Sequence, residues 1–245
     1  MDQGIRRAMI FAAGLGTRLR PITDTLPKAL VPINGRPLLG IAIEKLKRFG
    51  IKEIVINVHH FADQIEAYLA HQRNFDIDII ISDERSKLLE TGGGLKKAKA
   101  HLDQGDFLVY NADIISDLKL DAMMAYHQQF RPIATLAIRK RETSRYLLFD
   151  EQYELVGWRN LKTGEQKQCR PKSLLAPFGF SGIHIIHPRL FDYFPEEEKK
   201  FSIIDTYLLA AKQEKIKGYR HSQGLWLDVG KPEQLAKAEQ VLKLP

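Results

Sequence analysis

The first half of the chain alternates short apolar runs with longer, more polar stretches. Four apolar runs have the length of buried strands, at residues 8–13, 54–58, 77–81 and 107–110. Helices are predicted between them over residues 37–49, near 63–71 and after residue 91. Strands that alternate with helices predict parallel βαβ units, and therefore an α/β fold with an open sheet covered on both faces.

The second half of the chain has a more mixed pattern. Strands are predicted over residues 133–138, 146–149 and 178–186, and helices over 202–213 and 232–242. The polar segment 162–177 contains Pro171 and Pro177 and is predicted to form a loop or a hairpin excursion. Because no long linker interrupts the pattern, we predict one domain over residues 1–245.

The composition is that of a globular protein. Hydrophobic residues make up 44% of the 245 residues and charged residues 27%, which argues against global disorder. Cys169 is the single cysteine and has no partner for a disulfide or a thiolate metal site, so a reducing, cytoplasmic location is expected. The first apolar run is too short for a signal peptide or a membrane span, and we expect no membrane partner.

The net charge of +7 is concentrated near the N-terminus. Residues 1–50 contain 9 Lys and Arg against 3 Asp and Glu, whereas the remaining residues contain 28 against 27. A phosphate-binding site, a nucleic-acid surface and a solvated basic face each account for this excess. The chain has no interleaved aromatic and basic residues and no helix-turn-helix pattern, so we expect no nucleic-acid partner.

A glycine-rich loop follows the first predicted strand. Gly14 and Gly16 let the backbone turn sharply and bring N–H groups to an anion, and Arg18 adds donors for phosphate oxygens. The alternative is a tight turn with solvated arginines. A dinucleotide fingerprint would need a small residue in place of Leu19, and a Walker loop would need a Gly-Lys-Ser/Thr sequence that is absent.

Two polar segments fall at the carboxyl ends of predicted strands, where open α/β sheets bind ligands. Residues 14–18 follow the first strand and residues 111–113 follow the fourth, so we expect them to share a site. Lys28 lies between Pro27 and an apolar segment, which restricts its backbone. Taken alone, Lys28 is more typical of an exposed lysine that has no function.

Together these motifs resemble the signature of the sugar-1-phosphate nucleotidyltransferases. The resemblance covers most of the chain, and its motifs occur in the family's order: Gly14-x-Gly16-Thr17-Arg18-x-x-Pro21, Pro27-Lys28-Ala29-Leu30, Glu90-Thr91-Gly92-Gly93-Gly94, Asn111-Ala112-Asp113, Phe180-Ser181-Gly182 and Trp226-Leu227-Asp228-Val229-Gly230. It implies a Rossmann-like (GT-A-like) three-layer α/β/α sandwich with a mixed, mostly parallel central sheet. It also implies a nucleotide-binding half over 1–130 and a sugar-phosphate-binding half over 131–245.

The resemblance implies that an NTP and a sugar 1-phosphate react to give an NDP-sugar and pyrophosphate. Asp113 and Asp228 would hold Mg²⁺, and with Arg18 and Lys28 they form the expected catalytic set. The nucleotide would be bound by Ala12, Ala13, Gly14, Gly16, Thr17, Arg18, Lys28, Thr91, Gly92, Gly93 and Asn111. The glycines from Gly92 onward would lie against the base, where side chains would obstruct it. The sugar would be bound by Asn160, Ser181 and Gly182. Because the attacking phosphate is already ionised near neutral pH, the displacement at phosphorus needs positioning and charge stabilisation rather than a protein nucleophile.

Within the family, the motifs are most similar to those of N-acetylmuramate 1-phosphate uridylyltransferases, which implies UTP and N-acetylmuramate 1-phosphate as substrates. Mannose-1-phosphate guanylyltransferase and glucose-1-phosphate uridylyl- or thymidylyltransferase are the alternatives, and a nucleotide-sugar sensor without turnover is another. Lys231 stands where relatives usually have threonine, and the excursion over 158–177 lies in the sugar-facing half. Both departures leave the identity of the sugar open. The sequence makes no prediction of oligomeric state.

Overall fold

The computed structural model describes residues 4–171, 175–197 and 199–242. The strands in chain order are β1 (Arg7–Phe11), β2 (Pro32–Ile33), β3 (Arg36–Pro37), β4 (Glu53–Val58), β5 (Asp78–Asp83), β6 (Phe107–Asn111), β7 (Ile114–Ser116), β8 (Ala134–Arg139), β9 (Arg145–Phe149), β10 (Leu155–Asn160), β11 (Gln166–Gln168), β12 (Ala176–Ile186), β13 (Ile216–Arg220) and β14 (Trp226–Asp228). The helices are α1 (Leu38–Arg48), α2 (Ala62–His71), α3 (Glu90–Leu102), α4 (Leu120–Phe130), α5 (Ile203–Ala210) and α6 (Pro232–Val241).

The chain forms two compact units. The first consists of the described residues of Met1–Leu88, Val109–Leu118 and Leu225–Pro245, and the second of those of Leu89–Leu108 and Lys119–Gly224. These boundaries do not coincide with a division at residue 130, because the end of the chain returns to the first unit. The single domain with two ligand-binding halves stays a prediction.

The first unit contains a parallel sheet. Strand β4 pairs in parallel with β1 on one side and β5 on the other, and the end of β6 lies beside β1. Strands β1 and β4 are apolar and buried on both faces, as the short apolar runs predicted, whereas β5 is mostly half-buried. Strand β1 ends at Phe11 rather than at the predicted residue 13, because Ala12 and Ala13 already belong to the loop that follows.

A small antiparallel ladder connects the end of the chain to the first unit. Strand β14 pairs with β7, with Trp226 opposite Ser116 and Asp228 opposite Ile114. The ladder packs into a cluster of buried apolar side chains that also includes a residue of α6. These are Leu19, Val31, Ile33, Leu38, Ile115, Leu227, Val229 and Ala238. Burial of this cluster therefore holds Asp228 in the first unit, although more than a hundred residues separate it from Asp113.

The second unit contains mainly antiparallel strands. Strand β8 pairs in parallel with β13 and antiparallel with β12, and the pairs β12–β9, β9–β10 and β10–β11 are antiparallel. The predicted α/β fold with a mixed sheet is confirmed. The mostly parallel arrangement holds for the sheet of the first unit, whereas most strand pairs of the second unit are antiparallel, two of them joined by hairpins.

The polar excursion predicted over 162–177 contains a short hairpin. Strand β11 pairs with β10, with Gly157 opposite Gln168, and Ala176 begins β12. Residues 172–174 of this segment lie outside the described residues. Across the described ranges, no helix is long and apolar enough to cross a membrane.

Candidate active site

The glycine loop starts from a buried hydrogen-bond chain. The backbone N–H of Ala12 donates to Oδ1 of Asn57 at 2.8 Å, and Nδ2 of Asn57 donates to Oε1 of Glu84 at 2.8 Å. All three residues are buried. The ends of β4 and β5 therefore hold the point at which the chain leaves β1. Asn57 and Glu84 were not predicted as site residues, because neither lies in a motif.

Gly16 turns the loop and contacts the segment that carries Lys28. Its backbone is left-handed, with φ +65°, and its carbonyl accepts hydrogen bonds from Leu19 N at 2.8 Å and Thr23 Oγ1 at 2.9 Å. A Cβ at Gly16 would lie 2.9 Å from both the Lys28 Cβ and the Thr23 Cγ2. Glycine is therefore required here by conformation and by space. A Cβ at Gly14 would meet no atom within 4 Å.

The loop presents a run of backbone donors. The N–H groups from Gly14 to Thr17 have no acceptor among the described residues, and Gly14, Leu15 and Thr17 are exposed. Consecutive N–H groups of this kind form a concavity that suits an anion. Arg18 is also exposed and is the middle residue of a short 3₁₀ turn over Thr17–Leu19.

Lys28 lies in another 3₁₀ turn, over Lys28–Leu30. Pro27 has φ −63° at the start of this turn, and the Lys28 carbonyl accepts from Val31 N at 3.1 Å. The Lys28 ammonium forms an ion pair with Oδ2 of Asp113, and the two side chains are only 14% and 20% exposed. The structure thus brings together two residues that the sequence analysis placed in the same site.

Asp113 is held by its backbone just beyond the end of β6. Ala112 N donates to Phe11 O at 3.1 Å, and Val229 N donates to Asp113 O at 2.9 Å. Asn111, another predicted site residue, is the half-buried last residue of β6. Burial raises the pKa of the neighbouring Tyr110, and the negative charge of Asp113 raises it further.

Asp228 is the last residue of β14 and lies beside Arg18. A Cβ at Gly230 would be 2.8 Å from the Arg18 Nη2 and 2.8 Å from the Asp228 Oδ1. Both side chains therefore lie against the same glycine, and the Oδ1 atom is buried. Because Asp113 accepts from Val229, all four expected catalytic residues cluster at one end of the first unit.

The carboxylates of Asp113 and Asp228 suit a magnesium ion that is shared with a ligand. Within the described residues, no group of three or more His, Cys, Asp or Glu side chains is placed to hold a metal. Mg²⁺ is usually bound by one or two carboxylates together with phosphate oxygens and water. The donor set therefore fits a Mg²⁺ ion completed by a phosphate ligand.

Thr91, Gly92 and Gly93 lie in the second unit, in the first turn of α3. Thr91 Oγ1 accepts from Ile203 N at 3.0 Å, and Gly92 N donates to Phe201 O at 2.9 Å. A Cβ would lie 2.3 Å from the Phe201 ring at Gly92 and 2.0 Å from the Lys199 carbonyl oxygen at Gly93. Contacts within the protein therefore already require glycine at both positions. This reason differs from the predicted one, which was that a side chain there would obstruct the nucleotide base.

Ser181 and Gly182 form an irregularity in the long strand β12. The register of β12 with β8 shifts between Phe180 and His184, and Gly182 has φ +73°. Such a bulge bends the strand and redirects side chains. The buried Ser181 Oγ is 2.8 Å from Nε2 of His221. His221 was not predicted, because 40 residues separate it from Ser181.

Asn160 ends β10 at the tip of a hairpin. Its Oδ1 accepts from Lys162 N at 3.0 Å, and its backbone N–H donates to Glu165 O at 2.8 Å. The side-chain oxygen is thus used in the turn. The predicted role of Asn160 in sugar binding stays a prediction.

Comparison with known proteins identifies the family. The model of the nucleotidyl transferase family matches residues 7–243. The chain is 33% identical to an N-acetylmuramate alpha-1-phosphate uridylyltransferase of Caulobacter vibrioides over 98% of both chains. It is 32% identical to a protein of that name from Neisseria meningitidis, over 95% of this chain and 96% of the relative.

Solved structures support the same fold. A UDP-glucose pyrophosphorylase complexed with UDP-glucose is similar with a TM-score of 0.77 and 23% identity, over 97% of this chain and 98% of the other. The UDP-glucose pyrophosphorylase from Acinetobacter baumannii gives a TM-score of 0.79 at 18% identity, over 97% and 93%. The α/β fold is therefore that of sugar nucleotidyltransferases. By its sequence over almost the whole length, the chain belongs to the nucleotidyl transferase family.

Proposed function

We propose that this sugar-1-phosphate nucleotidyltransferase couples UTP to N-acetylmuramate 1-phosphate and releases pyrophosphate. One observation carries the proposal. Lys28 pairs with Asp113 and Arg18 lies beside Asp228, and both pairs adjoin the glycine loop, whose N–H groups have no acceptor among the described residues. The choice of substrates is supported by the two bacterial relatives that bear this name and match this chain over nearly its whole length.

The first obstacle to the reaction is charge repulsion, because an anionic sugar phosphate must approach a triphosphate. The N–H groups from Gly14 to Thr17 would bind the phosphate oxygens. The buried residues Ala12 and Ala13 would hold the start of the loop in place against the nucleotide. Arg18 is exposed at the end of the loop and would add a planar fork of donors. Donors preorganised in this way stabilise the charge that develops at phosphorus.

Lys28 and the two carboxylates would act around the α-phosphate. The Lys28 ammonium would contact a phosphate oxygen, and Asp113 and Asp228 would hold Mg²⁺ between them and the nucleotide. When bound, Mg²⁺ neutralises phosphate charge and orients the phosphate oxygens. The in-line displacement then needs no protein nucleophile, since the sugar phosphate is itself the attacking group.

The remaining predicted residues are proposed from the resemblance to the family. Asn111, Thr91, Gly92 and Gly93 are proposed to bind the nucleotide. Ser181, Gly182 and Asn160 are proposed to bind the sugar. The buried Ser181–His221 contact supports this proposal, because it fixes the bulge that carries Gly182.

The test of the substrates is a matrix of nucleotides against sugar 1-phosphates, read by pyrophosphate release. ATP, GTP, CTP, UTP and dTTP are each combined with the 1-phosphates of N-acetylmuramate, mannose and glucose. We expect the highest kcat/KM for UTP with N-acetylmuramate 1-phosphate. A preference for GTP with mannose 1-phosphate, or for UTP or dTTP with glucose 1-phosphate, would contradict the proposed substrates and leave the reaction class unchanged.

The test of the site uses Asp113→Asn and Asp228→Asn, with Asp117→Asn as the matched control. Asp117 lies at the other end of the β7–β14 ladder, where its carboxylate accepts from Leu225 N at 2.9 Å, and asparagine can keep this bond. We expect each site variant to lose at least about a hundredfold in kcat, which is typical of a removed charge-stabilising group. Turnover near wild type in both site variants would contradict the metal assignment. No turnover of any substrate pair by the wild type would favour the sensor alternative.

A further inference from the structure

The Lys28–Asp113 ion pair has a consequence for how a metal enters the site. We propose that Lys28 keeps the carboxylate of Asp113 from binding a divalent cation until a nucleoside triphosphate draws the ammonium away. Cation and nucleotide then bind with positive coupling. This inference rests on the proposed function, because it takes Asp113 as a metal ligand.

The stem of Lys28 has little room to move, so the exchange is confined to the end of the side chain. The Lys28 Cβ and Cγ lie 2.9 Å and 3.3 Å from the position that a Cβ would take at Gly16. The Lys28 backbone is held in a 3₁₀ turn between Pro27 and Val31. Because the stem packs on the glycine loop, an ammonium that leaves Asp113 stays beside the N–H groups of that loop.

The backbone of Asp113 is held in place by hydrogen bonds to both neighbouring segments. Its carbonyl accepts from Val229 N at 2.9 Å, and the preceding residue, Ala112, donates to Phe11 O at 3.1 Å. Only 20% of its side chain is exposed, so solvent weakens the pair with Lys28 less than at a fully open surface. A cation must therefore compete with the ammonium for the same carboxylate.

The charges of the site explain the coupling. Without a ligand, Arg18 and Lys28 balance Asp113 and Asp228, so a divalent cation adds two uncompensated positive charges. A triphosphate supplies negative charge and an alternative partner for the ammonium, which releases Asp113. Linkage requires that the cation raise nucleotide affinity by the same factor as the nucleotide raises cation affinity.

The test is a titration of the nucleotide-free protein with Mn²⁺, followed by the paramagnetic resonance signal of free Mn²⁺. Wild type is compared with Lys28→Met and Lys28→Gln, and with Lys28→Met combined with Asp113→Asn. Lys231→Met is the control, because it removes an equal charge three residues from Asp228 at a side chain that is 54% exposed. Thermal unfolding of each variant confirms that it is folded.

We expect Mn²⁺ to bind at least about tenfold more tightly to Lys28→Met and Lys28→Gln than to wild type, within the usual range of coupling between sites. Asp113→Asn should abolish this gain, and Lys231→Met should not reproduce it. Equal Mn²⁺ affinity of wild type and both Lys28 variants, or a gain that survives Asp113→Asn, would overturn the proposal. Failure of the proposed function is read separately, as an absence of pyrophosphate release.

Discussion

The side-chain oxygen of Asn57 accepts a hydrogen bond from the backbone N–H of Ala12 at 2.8 Å, and so strand β4 holds the first residue of the glycine loop. The same amide donates to the buried carboxylate of Glu84 at the end of β5. Since an amide flipped by half a turn would place two donors together and two acceptors together, Glu84 sets the orientation of Asn57. The position of the loop thus depends on residues outside every motif.

Replacing Asn57 should loosen the loop. Asn57→Ala leaves the buried Ala12 N–H without an acceptor, which we expect to lower the free energy of unfolding by about 2 kcal/mol and to raise KM for the NTP. Urea unfolding and steady-state kinetics measure the two effects. Ser82→Ala is the control, because Ser82 lies opposite Asn57 in the β4–β5 register and its buried Oγ has no partner. An equal loss of nucleotide affinity in Ser82→Ala would contradict the role of Asn57.

The two loop glycines should respond differently to alanine. Gly16→Ala forces a side chain into a left-handed backbone and against Lys28 and Thr23, so we expect a loss of at least about 1 kcal/mol in stability. Gly14→Ala meets open space and should leave the free energy of unfolding within about 0.5 kcal/mol of wild type. If a phosphate group binds next to Gly14, the added methyl group of Gly14→Ala will nevertheless weaken NTP binding in a calorimetric titration. Unchanged affinity would remove Gly14 from the site.

The hydroxyl of Thr91 should contribute to stability whether or not it contacts a nucleotide. Thr91→Val removes the acceptor of Ile203 N, and we expect it to lower the free energy of unfolding by about 1 kcal/mol. Thr91→Ser keeps the acceptor and should behave like wild type in the same urea titration. A valine variant as stable as the serine variant would show that the observed contact does not stabilise α3.

The buried His184 should make stability fall in acid. Its Nδ1 bonds to the Tyr207 hydroxyl, and burial lowers its pKa from the usual 6.5 to about 3. Below pH 6.5 the unfolded chain therefore binds a proton that the folded chain does not, so the stability contributed by neutral His184 is complete above pH 6.5 and decreases as pH falls toward 3.

Between pH 7.5 and pH 5 this decrease amounts to about 2 kcal/mol. We expect His184→Phe, which cannot titrate, to be less stable at pH 7.5 but to lose about 2 kcal/mol less than wild type on transfer to pH 5. Urea unfolding at the two pH values measures this difference. Parallel pH dependence in wild type and His184→Phe would contradict it.

The sequence by itself determined the succession of strands and helices and the chemistry-bearing motifs, because both are encoded by neighbouring residues. Apolar runs of strand length predicted β1, β4, β5 and β6 to within two residues. The glycines and cations of residues 14–28 likewise form one continuous segment. The predicted end of β1 was wrong by two residues, because the backbone of Ala12 bonds to the distant Asn57 and the strand stops at Phe11.

Only the tertiary structure decided what supports these motifs and which unit each belongs to. Asn57 lies 45 residues from Ala12, and His221 lies 40 residues from Ser181, so no local spacing links either pair. The return of β14 to β7 brings Asp228 to Arg18, and the packing of Gly93 on Lys199 gives the glycine run of α3 a structural cause. These relationships arise from strand register and close packing, which join residues without regard to their distance along the chain.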